Sequence, residues 1–589
     1  MILQALTSLY EALAPKGEVP KEGWSREKIS FALGIDENGD LLRITPLFKP
    51  GDMPKGKKKE EPQEMTVPAA VKRTSGAAAN FLWDNSSYIL GVSLKKGEDD
   101  AEREKQRNKD IKCFEACREL HHSMLDGMEY PAAKAVLNFL DKWEPQKAEE
   151  NNLVAQYAKE ILSGANMVFR FNGGYVHDDP QLASVWQKAN AKQKDNIGQC
   201  LVTGALDEIQ NTHPTIKGVQ GAQSSGAALV SFNASAFCSY NKEQNQNAPV
   251  GKYAAFAYTT ALNHLLKDRK NVHRIGDAAV VCWAENADKQ YEEFAADLFF
   301  GDGDGDQSDE QRLSALQASV ELLAKGLPCR ELDLDPERKF YILGISPNAA
   351  RLAVRFFYCD SFGNIVKNIK AHYDRLEIVR PSYDKYPMLP LWKLLSATVN
   401  PSAKDKTPNS AMAGAVARAV FSGGRYPASL LECTFLRIRA EREITRERAA
   451  IIKAYYLRNP NEKCPKEVLT VSLNKDSKNV PYTLGRLFSV YEEIQQAANP
   501  GINTTIKDKY FGSAATMPAT VFPILSSLAQ KHLRKLSDAQ RIYLDKKVMT
   551  LKDILGEQYP AHMSLPEQGS FDLGYYHQTQ DRYTKKEDK

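Results

Sequence analysis

Neither a phosphate-cradling G-x-x-x-x-G-K-(S/T) loop nor an H-E-x-x-H pair occurs in the 589 residues, which argues against a P-loop ATPase and a zinc metalloprotease. No run approaches the roughly 18 apolar residues of a membrane span. The start, MILQALTSLYEAL, lacks a basic n-region and a small-residue cleavage site, so no export signal is read. The nine cysteines are an odd set, scattered from Cys113 to Cys464 without a repeating framework. Free thiols in a reducing cytoplasm fit them better than a secreted disulfide scaffold. The polar stretch GVQGAQSSGAALVSFNASAFCSYNKEQNQN, Gly218–Asn247, holds no histidine, no carboxylate pair and no spaced cysteines.

What is present is ordinary for a folded chain: 42% apolar and 26% charged residues, at a length that suggests roughly three or four domains. The net charge of +4 conceals an asymmetry. Residues 401–589 carry 29 Lys and Arg against 20 Asp and Glu, whereas residues 1–400 carry 49 against 54. A basic carboxyl-terminal third suits a polyanion surface, with a solvated surface as the alternative.

The patterning predicts a mixed α/β (α+β) amino-terminal part with antiparallel β-hairpins, followed by an all-α helical bundle. ISFALGIDENGDLLRIT, residues 29–45, alternates about Asn38-Gly39 and reads as a hairpin. KPGDMPKGKKKEEPQE reads as an exposed flexible loop, and SSYILGVSL as a strand. KFYILGISPNAARLAVRFFYC reads as two strands hinged at Pro347-Asn348. Residues 101–165 read as a helical insertion, and amphipathic helices dominate beyond residue 385. Three domains are expected, over residues 1–384, 385–479 and 480–589.

Each near miss for catalysis has a bland counterpart. Asp302, Asp304 and Asp306 open like a calcium loop, but Gln307 replaces the turn glycine and Leu313 the bidentate acid. Cys113, Cys117 and His121 share a helix face, yet no fourth metal ligand accompanies them, and buried thiols are the alternative. His177-Asp178 lacks the further histidines of a metal phosphohydrolase. Ser224 and Ser225 sit in G-A-Q-S-S-G rather than G-x-S-x-G. A serine hydrolase with His264 or His273 as base, or a metal-dependent nuclease, stays as the enzymatic alternative. No metal and no cofactor is assigned.

Amides and hydroxyls without a base are better hydrogen-bonding groups than catalysts, and they suit base edges. Gln220, Gln223, Ser224, Ser225 and Asn233 are candidates of this kind, flanking a strand read in AALVSFNASAF. Polar turn chemistry is the alternative. VPAAVKRTSGAAANFLWDNSSY offers Lys72, Arg73, Thr74, Ser75 and Asn80 for phosphate or groove contact. Arg439, Arg442 and Arg446 read as one helix face, and Lys531, Arg534 and Lys535 as another; both suit a nucleic-acid backbone or a solvated surface.

VKRTSGAAANFLWDNSSYILGV, GVQGAQSSGAALVSFNASAFCSY with the following NAPVGKYAAFAYTTALNHLL, YILGISPNAARLAVRFF and FDLGYYHQ occur in this order. Together they resemble the large subunit of the type I-C CRISPR surveillance complex, Cascade, over nearly the whole chain. The resemblance implies a cytoplasmic, noncatalytic subunit at the crRNA 5′ end. Such a subunit recognises the protospacer-adjacent motif in double-stranded DNA, promotes duplex opening into an R-loop and recruits the helicase-nuclease. Implied partners are the crRNA, the target DNA, the Cascade backbone and crRNA-end subunits, and a helical small subunit made by internal translation of the same gene. That small subunit would match residues 480–589, although Met517 lies too late to begin the whole helical unit.

Overall fold

The computed structural model describes residues 1–589 apart from 51–59, 72, 74, 75, 95–99, 192–195, 233, 269, 270, 301–309, 385, 557, 558 and 584–589. The chain divides into two compact units, residues 3–214 with 231–261 and residues 215–230 with 262–589. This division differs from the expected boundaries near residues 384 and 480. Both of those fall inside one continuous core, which runs from Ile275 to Tyr576.

The first unit carries β1 (Trp24–Ile29), β2 (Phe31–Ile35), β3 (Leu41–Pro46), β4 (Phe48–Pro50), β5 (Glu60–Pro68), β6 (Trp83–Asn85), β7 (Asn166–Phe171) and β8 (Gly174–Tyr175), with a small hairpin of β9 (Ile197–Gln199) and β10 (Leu206–Glu208). The hairpin read around Asn38-Gly39 is β2 and β3, paired from Phe31↔Pro46 to Ile35↔Leu41. Its turn is closed by Asp36 Oδ1, which accepts the N–H groups of Asn38 (3.0 Å) and Asp40 (2.8 Å). Gly39, at φ +82°, passes so close to the backbone of helix Pro131–Lys142 that any Cβ would overlap Phe139 N.

β2 also pairs in parallel with β7, Phe31 opposite Met167, and the helices between them form the crossover. One face of β2 packs Phe31 and Leu33 with Phe169 under Phe114, Cys117, Val136 and Phe139 of the helices Asp100–Leu125 and Pro131–Lys142. The other packs Ala32 with Val168 and Trp83 against Met65 and Val67 of β5. A strand covered on both faces has no polar alternation.

The second unit contains an antiparallel meander of β11 (His273–Ile275), β12 (Ala278–Ala284), β13 (Lys339–Asn348) and β14 (Arg351–Ser361). The strands read across Pro347-Asn348 are β13 and β14; both residues belong to β13, paired to Leu352 and Arg351, and the turn is Ala349-Ala350. Val280, Cys282, Phe340, Ile342 and Phe356 share a core with helices Phe362–Leu376 and Ser410–Ser422. Among the described residues no strand follows β14, and helices continue to Tyr583. The α+β front and all-α rear agree with the patterning.

Three local expectations are corrected. SSYILGVSL is no strand: Ser86–Ile89 is a short helix, capped by Asn85 Oδ1 accepting from Ser87 N–H at 3.0 Å. Tyr88, Ile89 and Leu90 are all buried, and a short all-buried run has no period to separate helix from strand. Among its described residues AALVSFNASAF forms only single bridges at Ala227 and Ala228, followed by a 3-10 turn at Ser235–Phe237. The lysine-rich loop is flanked by strands, since Phe48 pairs Pro62 and Lys49 pairs Glu61; its residues 51–59, like Asp302, Asp304 and Asp306, lie outside the described residues. All nine cysteines are free thiols. No helix among the described residues is long and apolar enough to cross a membrane.

Candidate nucleic-acid interface

The first part of the polar stretch forms a closed loop. Ile216 and Ala227 exchange both backbone hydrogen bonds (2.8 and 2.9 Å) and are fully buried, so residues 217–226 leave and return at one point. Inside, Ala222 N–H donates to Val219 O (3.1 Å) and Gly226 N–H to Gln223 O (2.9 Å). Gly226 has φ +97°, and a Cβ there would stand 2.8 Å from the Thr215 side chain. Asn263 braces the base, accepting from Lys217 N–H (2.8 Å) and donating to Thr215 O (3.1 Å). With the backbone so closed, Gln220, Gln223, Ser224 and Ser225 are all left on the exposed surface.

The loop is fixed to one end of the sheet. Ala228 N–H donates to Ala350 O (2.9 Å) and Ala228 O accepts from Leu352 N–H (3.0 Å), across the turn of β13 and β14. The turn between β11 and β12 lies at the same end, because Ala279 at the start of β12 faces Ile345 near the end of β13. Three turns therefore meet there. They bring Arg274, Arg351 and Arg355, with Arg418 of helix Ser410–Ser422 donating to Arg355 O at 3.3 Å. Asp277 pairs Arg355 at 2.6 Å. Although partial burial opposes ionisation, the bonds from Arg355 and Ser410 hold the Asp277 carboxyl below the usual range. Arg274 donates through Nη1 to Gln220 Oε1 (2.8 Å) and through Nε to Gly276 O (3.1 Å). Sequence reasoning missed all four arginines, which lie 48 residues or more along the chain from the loop they join; the one local signal is the strand-turn-strand pattern around Gly276-Asp277.

The second part of the stretch belongs to the first unit, and its amides serve the fold. Asn247 accepts from Ser239 N–H (2.9 Å) and donates to Lys242 O and Gln244 O (3.0 and 2.9 Å). Asn245 is buried and donates to Gln210 O at 2.6 Å. Polar turn chemistry is the right description for these residues. Asn233 lies outside the described residues.

In the second cluster, Lys72, Thr74 and Ser75 also lie outside the described residues. Arg73 and Asn80 both hold the loop together. Arg73 pairs with Asp84, donates to Ala78 O at 2.7 Å and lies 3.9 Å over the Tyr88 ring. Asn80, only 4% exposed, accepts from Val71 N–H at 2.9 Å and donates its own N–H to Asp84 at 2.8 Å. Asp84 is 1% exposed, and burial raises its carboxyl above the ordinary value despite the bonds from Arg73 and Asn80.

Arg439, Arg442 and Arg446 do not share a helix face. Helix Ala428–Glu441 stops at Arg442, φ +54°, and a new helix begins at Arg446. Arg446 is buried and donates to Asp384 (3.0 Å) and Pro387 O (2.9 Å), so it is a structural group. Arg439 donates to Gln568 Oε1 at 2.9 Å, and Arg442 is exposed. Lys531, Arg534 and Lys535 do cluster, at the exposed end of helix Pro518–Leu533, with Lys535 3.4 Å from Asn499 Oδ1. Cations there also complement the helix dipole.

Cys117 and His121 meet at 3.6 Å inside the core, but both ring nitrogens of His121 are engaged, by Cys117 O (2.7 Å) and Leu82 N–H (2.9 Å). No group of three or more His, Cys, Asp or Glu among the described residues could hold a metal. His273 is buried and stacked on Phe300 at 3.8 Å. Among the described residues the assembly at the turn end can donate, accept and attract anions. No curated protein matches the chain. Residues 6–583 match the model of a family described as CRISPR-associated protein (Cas_Csd1), and the chain belongs to that family.

Proposed function

We propose that this CRISPR-associated chain is the noncatalytic large subunit of a type I-C Cascade, seated in the cytoplasm at the crRNA 5′ end. It recognises a short protospacer-adjacent motif in double-stranded DNA, helps open the duplex into an R-loop and recruits the helicase-nuclease that cuts. The observation carrying this reading is the braced loop that leaves Gln220, Gln223, Ser224 and Ser225 exposed beside Arg274 at the turn end of the β11–β14 sheet. In guide-dependent recognition, pairing with RNA reads most of the target, so the protein needs only a few groove contacts at the motif. Amides both donate and accept at base edges, and a guanidinium adds a forked donor. Phosphate contact from Lys531, Arg534 and Lys535 supports binding without reading sequence.

The small subunit made by internal translation corresponds in this reading to the carboxyl-terminal helices. A start at Met517 would omit helix Val480–Ala498, which packs closely on Leu565–Tyr583. A small subunit that keeps this helix pair would need a start upstream of Val480.

The test is binding of the reconstituted complex to a target library with randomised flanks. Enrichment of a short flanking motif is expected, and retention of all flanks alike would overturn motif recognition. Divalent-metal-dependent cleavage of DNA by the purified chain would overturn the noncatalytic role and favour a nuclease.

A further inference from the structure

Among the arginines at the turn end, the bonds differ in kind. Arg355 is paired with Asp277 at 2.6 Å. Arg274 has no such partner: no described carboxylate lies within ion-pair distance, and its acceptors, Gln220 Oε1 (2.8 Å) and Gly276 O (3.1 Å), are neutral. Of the five N–H donors of a guanidinium, these two bonds take one each from Nη1 and Nε. The remaining donors lie on an exposed residue. Asp405 senses Arg274 electrostatically, but its carboxyl is fully exposed and is held low mainly by Thr407, so its effect on Arg274 is screened by solvent.

The acceptors are themselves fixed. Gly276 has φ +63°, and a Cβ there would stand 3.0 Å from Ala413. Gln220 belongs to the loop closed at Ile216 and Ala227, and a Cβ on neighbouring Gly221 would stand 3.2 Å from Pro347. One end of the clamp thus rests on β13 and the other, in the turn between β11 and β12, rests on helix Ser410–Ser422. A phosphate can be met by a lone ammonium or by a fork approaching from several directions, whereas the two adjacent acceptors of one base edge require a fork held in the base plane.

We propose that Arg274 is a specificity-determining residue that reads the O6 and N7 acceptors of a guanine in the DNA major groove, and that Gln220 is the positioning residue that orients it. The proposal rests on the reading of this surface as the motif-recognising site. It changes the role expected for Gln220, from a direct reader to the holder of one. Gln223, Ser224 and Ser225 remain free to contact neighbouring positions.

The test uses the reconstituted complex and the randomised-flank library. With the unaltered chain, a guanine on one strand is enriched at one flank position. Arg274→Lys keeps the charge and loses the fork, so preference for that guanine falls by about 5- to 150-fold, the range of one bidentate pair. Gln220→Ala, which removes the acceptor that orients Arg274, lowers the same preference. Undiminished guanine preference in Arg274→Lys overturns the reader, and undiminished preference in Gln220→Ala overturns the positioning role. Absence of any flank preference in the unaltered complex overturns the parent reading instead, which keeps the two failures distinct. Arg274 is exposed, so the thermal midpoint of Arg274→Lys matches that of the unaltered chain.

Discussion

Gly485 and Gly574 face each other's helices: a Cβ on Gly485 would overlap Phe571 O, and one on Gly574 would overlap Tyr482 O. The helices Val480–Ala498 and Leu565–Tyr583 therefore touch backbone to backbone. Their buried polar groups pair across this contact, with Tyr482 OH 2.9 Å from His577 Nδ1 and Tyr575 OH donating to Glu492 at 2.6 Å.

Gly485→Ala or Gly574→Ala should destabilise the second unit at or above the upper end of the roughly 1–3 kcal/mol range of overpacked sites, because backbone atoms cannot rotate out of the way. Urea unfolding followed by tryptophan fluorescence reads this. A midpoint within error of the unaltered protein would mean that the helices separate at little cost.

Arg73 is expected to bear on stability through its pair with Asp84. Arg73→Ala leaves the Asp84 carboxyl in a site that already disfavours its ionised form, with a cost of up to roughly 3–5 kcal/mol for a broken buried pair. The salt slope of DNA binding should stay the same. A slope lowered by about one, with unchanged stability, would instead identify Arg73 as a phosphate contact.

Acid should weaken the first unit through His121 and His213, which burial pushes down to about 4 each. The unfolded chain takes up these protons near the ordinary value of about 6.5. Between pH 6.5 and 4 the unfolded state thus binds more protons, and stability falls as pH falls. His121 is wholly buried, and its share is on the order of 3 kcal/mol. Denaturant midpoints measured from pH 7.5 to 4.5 should be flat at first and then drop. In His121→Gln the drop should be shallower; an identical curve would remove His121 as a cause.

At the carboxyl-terminal helices, Lys531→Ala combined with Lys535→Ala should lower the salt slope of complex binding by up to about two. Arg446→Ala should leave the slope alone and lower the thermal midpoint, because Arg446 holds Asp384 and Pro387. An unchanged slope in the lysine pair would place that face in solvent or against protein.

What was legible in the sequence follows from how local each cause is. The β2–β3 hairpin announces itself because Asp36, Asn38 and Gly39 build their own turn, and β13–β14 because both strands are long and adjacent. The β2–β7 pair has no local sign, since Phe31 and Met167 meet across the whole helical crossover. Arg439, Arg442 and Arg446 were misread because helical spacing has meaning only within one unbroken helix. In Gly218–Asn247 the residue types were readable but their directions were not: Gln220 to Ser225 reach the exposed surface, whereas Asn245 and Asn247 bind their own backbone. Arg274 could not be found from the loop it joins, because only the sheet brings them together.

The parallel β2–β7 pair also sets an order of events during synthesis. β2 and β3 can close as soon as residue 46 is made, but the other edge of β2 has no partner until the chain reaches Phe171. Contacts of such long separation form slowly, and an unpaired apolar strand edge invites pairing with other chains. The helices Asp100–Leu125 and Pro131–Lys142 emerge earlier and pack against the same face of β2. They can cover its apolar side chains before the edge is sealed, so a truncation that removes them would be expected to aggregate rather than yield a smaller folded sheet.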